Sequence, residues 1–367
     1  MKNFILFITS LIFIVFTGCE QDDPPPGNLT GVSSLSAARY FSLILKNDHS
    51  LWTVGYNSWG QLGDGTTRPQ FHPQKLADDV IAMSAGEFHT LFIKSDLSLW
   101  ATGNNTFGQL GDGTEYARLS PVKIADNVIA ISAGLFHSLF LKTDHTLWAM
   151  GDNGDGQLGD GTNQRQVSPI KVGMNVQSIA TGVSHSLLVT DGNTLMGTGY
   201  NGAGQLGDGT RTSKNRFVPI IQGVKRVAAG QLHSLLVKTD NSLWAMGDNT
   251  LGQLGAGDIM ESLLPLRISD AVNHIAVDEY HSLFIKEDNS LWATGYNRQG
   301  QLGDGSGILQ RIPVKVGERV KMIETGNSHS IFLRVDGSIW SSGQNAFGEL
   351  ANGSRDHRLM FERSPLF

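Results

Sequence analysis

The chain has 367 residues, with 28 lysines and arginines against 34 aspartates and glutamates, 44 glycines and one cysteine. A single cysteine excludes an intramolecular disulfide and any Cys-based zinc or iron–sulfur centre. A formal charge of −6 without a basic run argues against nucleic acid or an anionic membrane surface as the main partner. Glycine at this level beside only 17% charged residues suits many short strands joined by tight turns, not a helical bundle or a disordered chain.

Lys2 and the apolar run from Phe4 to Phe16 have the basic start and short hydrophobic stretch of a secretory signal. The run is too short for a permanent transmembrane helix. It leads through Thr17 and Gly18 into Cys19, an arrangement that resembles a bacterial lipobox, in which Cys19 is lipidated and becomes the mature N-terminus. Residues 1–18 are thus expected to be a lipoprotein signal peptide. Glu20, Asp22, Asp23 and Pro24-Pro25-Pro26 read as an acidic, extended tether over residues 19–28. The location this implies is the bacterial envelope, lipid-anchored at the outer membrane or cell surface.

From residue 29 to 367 the chain is one unit repeated seven times. Gln61-Leu62-Gly63-Asp64-Gly65-Thr66 returns with its Gln at 109, 157 and 205, as QLGAGD from Gln253, QLGDGS from Gln301 and ELANGS from Glu349, always 48 residues apart. In the third unit Val128–Ala133, His137–Lys142 and residues 146–150 read as strands A, B and C, and the SPVKI type of segment as strand D. Strands A and B are apolar on both faces, as strands sandwiched between neighbouring sheets must be. The predicted fold is all-β, a seven-bladed β-propeller with four antiparallel strands per blade. The last strand D is placed at Ser364–Phe367, out of register with the others, and the ring is expected to close by packing of blade 7 on blade 1.

The ordered set His137-Ser138-Leu139, Asp144, Leu147-Trp148, Gly151, Asn153, Gly156-Gln157-Leu158-Gly159 and Pro169 resembles the repeat of the RCC1 (regulator of chromosome condensation) superfamily. That resemblance implies a seven-bladed propeller and says little of function, because its members include exchange factors, a light sensor and secreted inhibitors.

Each repeated motif has a structural reading. The glycines at 55, 60, 63 and 65 and their copies serve turns of positive φ, since no Lys or helix start accompanies them to hold phosphate. Asp152, Asp155 and Asp160 lack the spacing of a calcium loop, and the Asp64 series is expected to accept hydrogen bonds from its own turn. His89, His137, His185, His233, His281 and His329 are read as buried groups bridging backbone between blades, with Phe41 in their place in blade 1. Trp52, Trp100, Trp148, Trp244, Trp292 and Trp340 are read as packing, with Met196 in blade 4. No nucleophile, base and orienting acid emerge as a set, so neither catalysis, nor a metal, nor a cofactor is expected.

In a four-stranded meander the A–B and C–D connections share one face. The B–C turns repeat almost verbatim, while A–B and C–D vary, and binding residues concentrate on such variable loops. The A–B loops carry Arg39, Tyr40, Glu87, Phe88, Phe136, Gln231, Leu232, Glu279 and Tyr280. The C–D loops add Tyr56, Trp59, Phe107, Tyr200, Tyr296 and Phe347. Aromatics amid polar neighbours have the composition of a protein-binding surface; the alternative for the A–B aromatics is packing between blades. The function expected is a monomeric, non-enzymatic envelope lipoprotein that binds a protein partner through this face. The rivals are an exchange-factor-like regulator of a small GTPase and a carbohydrate-binding or hydrolytic propeller.

Overall fold

The computed structural model describes residues 31–366. The signal peptide, Cys19 and the tether lie outside the described residues. Seven four-stranded antiparallel sheets follow one another along the chain, and within each the strand order is the order in sequence. In blade 3 strand A is Val128–Ala133, B His137–Lys142, C Leu147–Gly151 and D Gln166–Gly173. Strand A lines the axis of the ring, and strand D is the outer edge.

Blades hold one another through apolar clusters, one at each of the seven interfaces. Between blades 2 and 3, Leu91, Ile93, Leu99, Ala101 and Leu110 meet Val128, Phe140 and Met150, all within 1% of full burial. Apart from Ala101, each such side chain contributes about 1.5–3 kcal/mol relative to an exposed one. The ring closes in the same way. Val32, Leu35, Ile44 and Val54 of blade 1 pack on Ile331, Leu333 and Ile339 of blade 7, with no strand exchanged.

The last edge strand differs from the sequence expectation. It is Arg358–Arg363, not Ser364–Phe367, and it is in the common register. Gly343 faces Arg358 as Gly151 faces Gln166, and Trp340 faces Arg363 as Trp148 faces Lys171. Phe361 stands where five other blades carry Pro and blade 4 carries Phe217, so the strand lacks the SPVKI pattern.

The B–C turns form one module. Asp144 Oδ1 accepts from Thr146 N (3.1 Å) and Oγ1 (2.6 Å), and Thr146 Oγ1 accepts the Trp148 indole N–H at 2.9 Å. Lys142 Nζ lies 4.6 Å from the Trp148 ring centroid, and that ring stacks on Phe140 at an interplanar angle of 7°. Blade 4 lacks the parts together, with Thr190 for the lysine, Gly192 for the aspartate and Met196 for the tryptophan.

Candidate partner-binding face

The A–B loops are short and tied down. Gly134 N donates to His137 O at 2.9 Å, and Phe136 O accepts from Asp152 N at 2.8 Å, so the A–B loop is bonded to the start of its own C–D loop. Gly134 has little room: a Cβ there would lie 2.6 Å from Gly182 O of the next blade. The same glycine stands at 86, 182, 230 and 326, but blade 6 has Asp278.

Below these loops lies the histidine ring. His89, His137, His185, His233 and His281 Nε2 each meet a hydroxyl of the following blade, Ser138, Ser186, Ser234, Ser282 and Ser330, at 2.8–2.9 Å. At the ring seam His329 and Ser42 are 3.4 Å apart. The bridge therefore runs to a side-chain hydroxyl, not to backbone as expected; the hydroxyl in turn donates to the carbonyl of the QLGDG glutamine, as Ser138 does to Gln109 O at 2.8 Å. Since the hydroxyl spends its proton there, Nε2 donates. Burial lowers the first five imidazoles to a pKa of about 3 and His329 to about 4, so the ring is neutral.

The Asp64 series closes its own turn. Asp64 Oδ1 accepts from Thr66 N at 2.8 Å and from Asn57 Nδ2 at 3.0 Å. Among the described residues no group of three His, Cys, Asp or Glu side chains is placed to hold a metal ion.

The aromatics gather into half-buried patches, two of which cross blade boundaries. Tyr40 and Tyr56 of blade 1 meet Phe347 of blade 7 at centroid distances of 5.5 and 5.0 Å. Phe136 stacks on Phe107 at 4.5 Å and on Phe88 at 6.4 Å, and the Arg165 guanidinium covers Phe107 at 5.2 Å. Tyr280 and Tyr296 are 6.2 Å apart, edge to face. Trp59 and Tyr200 are 40% and 36% exposed. Leu232 is half-buried on the same face. The first two patches pack between blades, and all of these side chains remain partly open to solvent.

The charged A–B residues behave differently, because they turn toward the axis. Arg39 Nη1 reaches Glu87 Oε2 at 3.3 Å and Glu279 Oε1 at 3.5 Å, so blades 1, 2 and 6 are tied across the channel mouth. Although burial opposes its charge, the Tyr40 hydrogen bond and the two carboxylates hold the Arg39 guanidinium above its ordinary pKa. Gln231 is half-buried and hydrogen-bonds Tyr280. The mouth opens into a cavity of about 320 Å³ lined by strands A and the A–B loops, with Glu324 from the former and Asp278 from the latter. Burial, with Glu279 repelling, pushes Glu87 up to about 7, Arg39 opposing. Burial raises Glu324 to about 8, and burial with Glu279 and Glu87 raises Asp278 well above the carboxylate range.

Asp278 and Glu324 were not among the residues chosen from sequence. The signal was present in the repeat. Asp278 replaces the close-packed glycine, and Glu324 stands where the other blades have Ser36, Ser84, Ser132, Ala180, Ala228 and Ala276.

Cations divide between the faces. Between residues 31 and 366 every lysine except Lys214 lies toward the B–C and D–A turns, whereas Arg39, Arg68, Arg118, Arg165, Arg211, Arg298, Arg311, Arg355 and Arg358 lie toward the A–B and C–D loops.

The RCC1-like domain model matches residues 117–365, and regulator of chromosome condensation (RCC1) repeat models match residues 48–93 and 80–109. No curated protein matches the chain. Among solved structures, human WBSCR16 superposes with a TM-score of 0.77 at 23% identity, over 86% of this chain and 93% of that one. Yeast RCC1 (Prp20) bound to Kap60 gives 0.78 at 20% identity, over 96% and 91%. Prp20p from Saccharomyces cerevisiae, described with its binding to Gsp1p and histones, gives 0.78 at 22%, over 92% and 88%. With seven four-stranded blades, the 48-residue repeat and the domain model over most of its length, the chain belongs to the RCC1-like domain family.

Proposed function

We propose that the protein is a non-enzymatic, lipid-anchored propeller of the bacterial envelope that binds a protein partner through its A–B/C–D face. The observation that carries this reading is the composition of that face. It joins half-buried aromatics to arginines and is almost free of lysine, and aromatics and Arg are enriched at protein interfaces while Lys is depleted. Prp20p, of the same fold, is described with protein partners. Arg39, Glu87 and Glu279 have a different share in the work: bonded to one another, they hold the loops in place, and the contacts fall to Tyr40, Tyr56, Trp59, Phe88, Phe107, Phe136, Tyr200, Tyr280, Tyr296 and Phe347.

The test is an alanine scan. Trp59, Phe88, Phe136 and Tyr280 are changed singly, and affinity for a partner captured from envelope extracts is measured beside melting temperature. One or two variants are expected to lose about 2 kcal/mol or more of affinity with little change in melting. Binding that survives all four, or falls only in step with stability, rejects the face. The family's membership favours a second reading, regulation of a small GTPase; nucleotide release from a panel of purified GTPases, accelerated by the chain, would establish it in place of the first.

A further inference from the structure

The central channel has a second polar layer, at its opposite end. The third residue of strand A is Ser34, Ala82, Ala130 and Met322 in blades 1, 2, 3 and 7, but Ser178, Arg226 and His274 in blades 4, 5 and 6. Blades 5 and 6 thus depart from the small or apolar residue of the repeat at one height, near the D–A turns, beside Ser178 of blade 4. Their side chains, with Lys225, line a cavity of about 180 Å³ that has no carboxylate in its wall.

None of the three central groups is used internally. Among the described residues the Arg226 guanidinium and the His274 imidazole have no hydrogen-bond or ion-pair partner, and Ser178 Oγ is buried without one. Lys225 Nζ donates to Asn241 Oδ1. Burial lowers the His274 pKa, and the Arg226 and Lys225 charges lower it further. Arg226 is exposed and Lys225 and His274 are half-buried, so their like charges repel across a solvated recess, and an anion seated between them relieves that repulsion.

We propose that this end of the channel binds a phosphoryl oxyanion. Arg226 supplies a planar fork of N–H donors, Lys225 an ammonium, His274 a ring N–H and Ser178 a hydroxyl. With two N–H groups from the Arg226 fork, these four groups from three blades offer at least five donors, more than the roughly four lone-pair sites of a carboxylate and within the capacity of the three or more oxygens of a phosphoryl group. The site lies at the far end of the channel from the aromatic face and is independent of the partner proposed for it.

Inorganic phosphate is titrated into the purified full chain, with chloride at matched ionic strength as reference, and followed by calorimetry and by the His274 ring resonances. Saturable binding is expected, with the His274 pKa rising by about one unit as the anion favours its charged form. Arg226→Ala and His274→Ala should each weaken binding at least tenfold at unchanged melting temperature. They keep the fold because Ala82 and Ala130 occupy the same position in other blades. Lys75→Ala, on the same side of the ring but away from the axis, should leave binding unchanged. Sedimentation with phosphatidylglycerol but not phosphatidylcholine vesicles, lost in Arg226→Ala, would assign the group to a lipid headgroup; phosphate binding without sedimentation would assign it to a free phosphate. Absence of saturable binding, or equal binding by Arg226→Ala, overturns the proposal.

Discussion

A buried imidazole that refuses a proton and a buried carboxyl that keeps one act on stability in opposite directions. The six ring histidines have folded pKa values of about 3 to 4 against 6.5 when free, so below pH 6.5 the unfolded chain binds more protons and stability falls as pH drops. Glu87, Glu324 and Glu349, held at about 7, 8 and 7 against 4.5, keep protons in the folded state, so their contribution is lost as pH rises from 4.5 to about 8. Where the windows overlap, six imidazoles outweigh three carboxyls. Stability should peak near pH 6.5, with the steeper decline on the acid side; denaturant midpoints between pH 4 and 9 measure it, and a profile still rising from pH 7 to 8 contradicts the assignment. At a single site, His137→Ala should cost about 3 kcal/mol through the cavity and the lost bond to Ser186. His137→Phe should cost clearly less by urea unfolding, since Phe41 fills the equivalent place, fully buried, in blade 1.

At the scale of the strand and its turn, blade 4 shows that the Lys–Asp–Trp module works as a unit. With no indole N–H and no cation there is nothing for an aspartate-braced hydroxyl to hold, and the three residues are absent together. Trp148→Met should therefore cost about 1–2 kcal/mol, from the cation–π contact, the indole hydrogen bond and the stacking on Phe140. Met196→Trp should give no matching gain, because Thr190 supplies no ammonium; chemical denaturation of both variants checks the asymmetry. The last edge strand teaches a related lesson. Its pairing with strand C kept the common register although its side chains did not match the repeat, because backbone hydrogen bonds and the buried face set register.

For the whole molecule, stability is a sum over neighbouring blades plus the closure of the ring. The seam between blades 7 and 1 has the longest histidine–serine contact, 3.4 Å, and Phe41 leaves blade 1 without an imidazole to offer Thr90. Deleting one 48-residue unit should leave an open or strained ring and lower the melting temperature far more than any surface substitution, which is typically within about 0.5 kcal/mol; unchanged melting would contradict closure by packing. Anchoring is read on the intact chain. Palmitate should label the wild type and not Cys19→Ala, and the variant should leave the membrane fraction. Equal labelling of both removes the lipobox.

Blade number, the placing of strands A, B and C, the turn glycines and the common face of the A–B and C–D loops were legible from the 48-residue period, because each unit contacts mainly its neighbours and so repeats its own local pattern; the last strand D, whose side chains leave that pattern, was not. The roles of particular loop residues were not. Arg39 meets Glu279 across 240 positions, and Ser178, Arg226 and His274 meet at one height in the channel. Those meetings depend on the angle through which seven blades turn about the axis. Side chains that look alike in the repeat, Arg39 beside Tyr40 or Glu279 beside Tyr280, are separated by the ring into an ion network at the axis and aromatics at the rim. The linear pattern specified the blade; closure decided which departures from it face one another, and with that where an acidic mouth, a basic end and an aromatic face would lie.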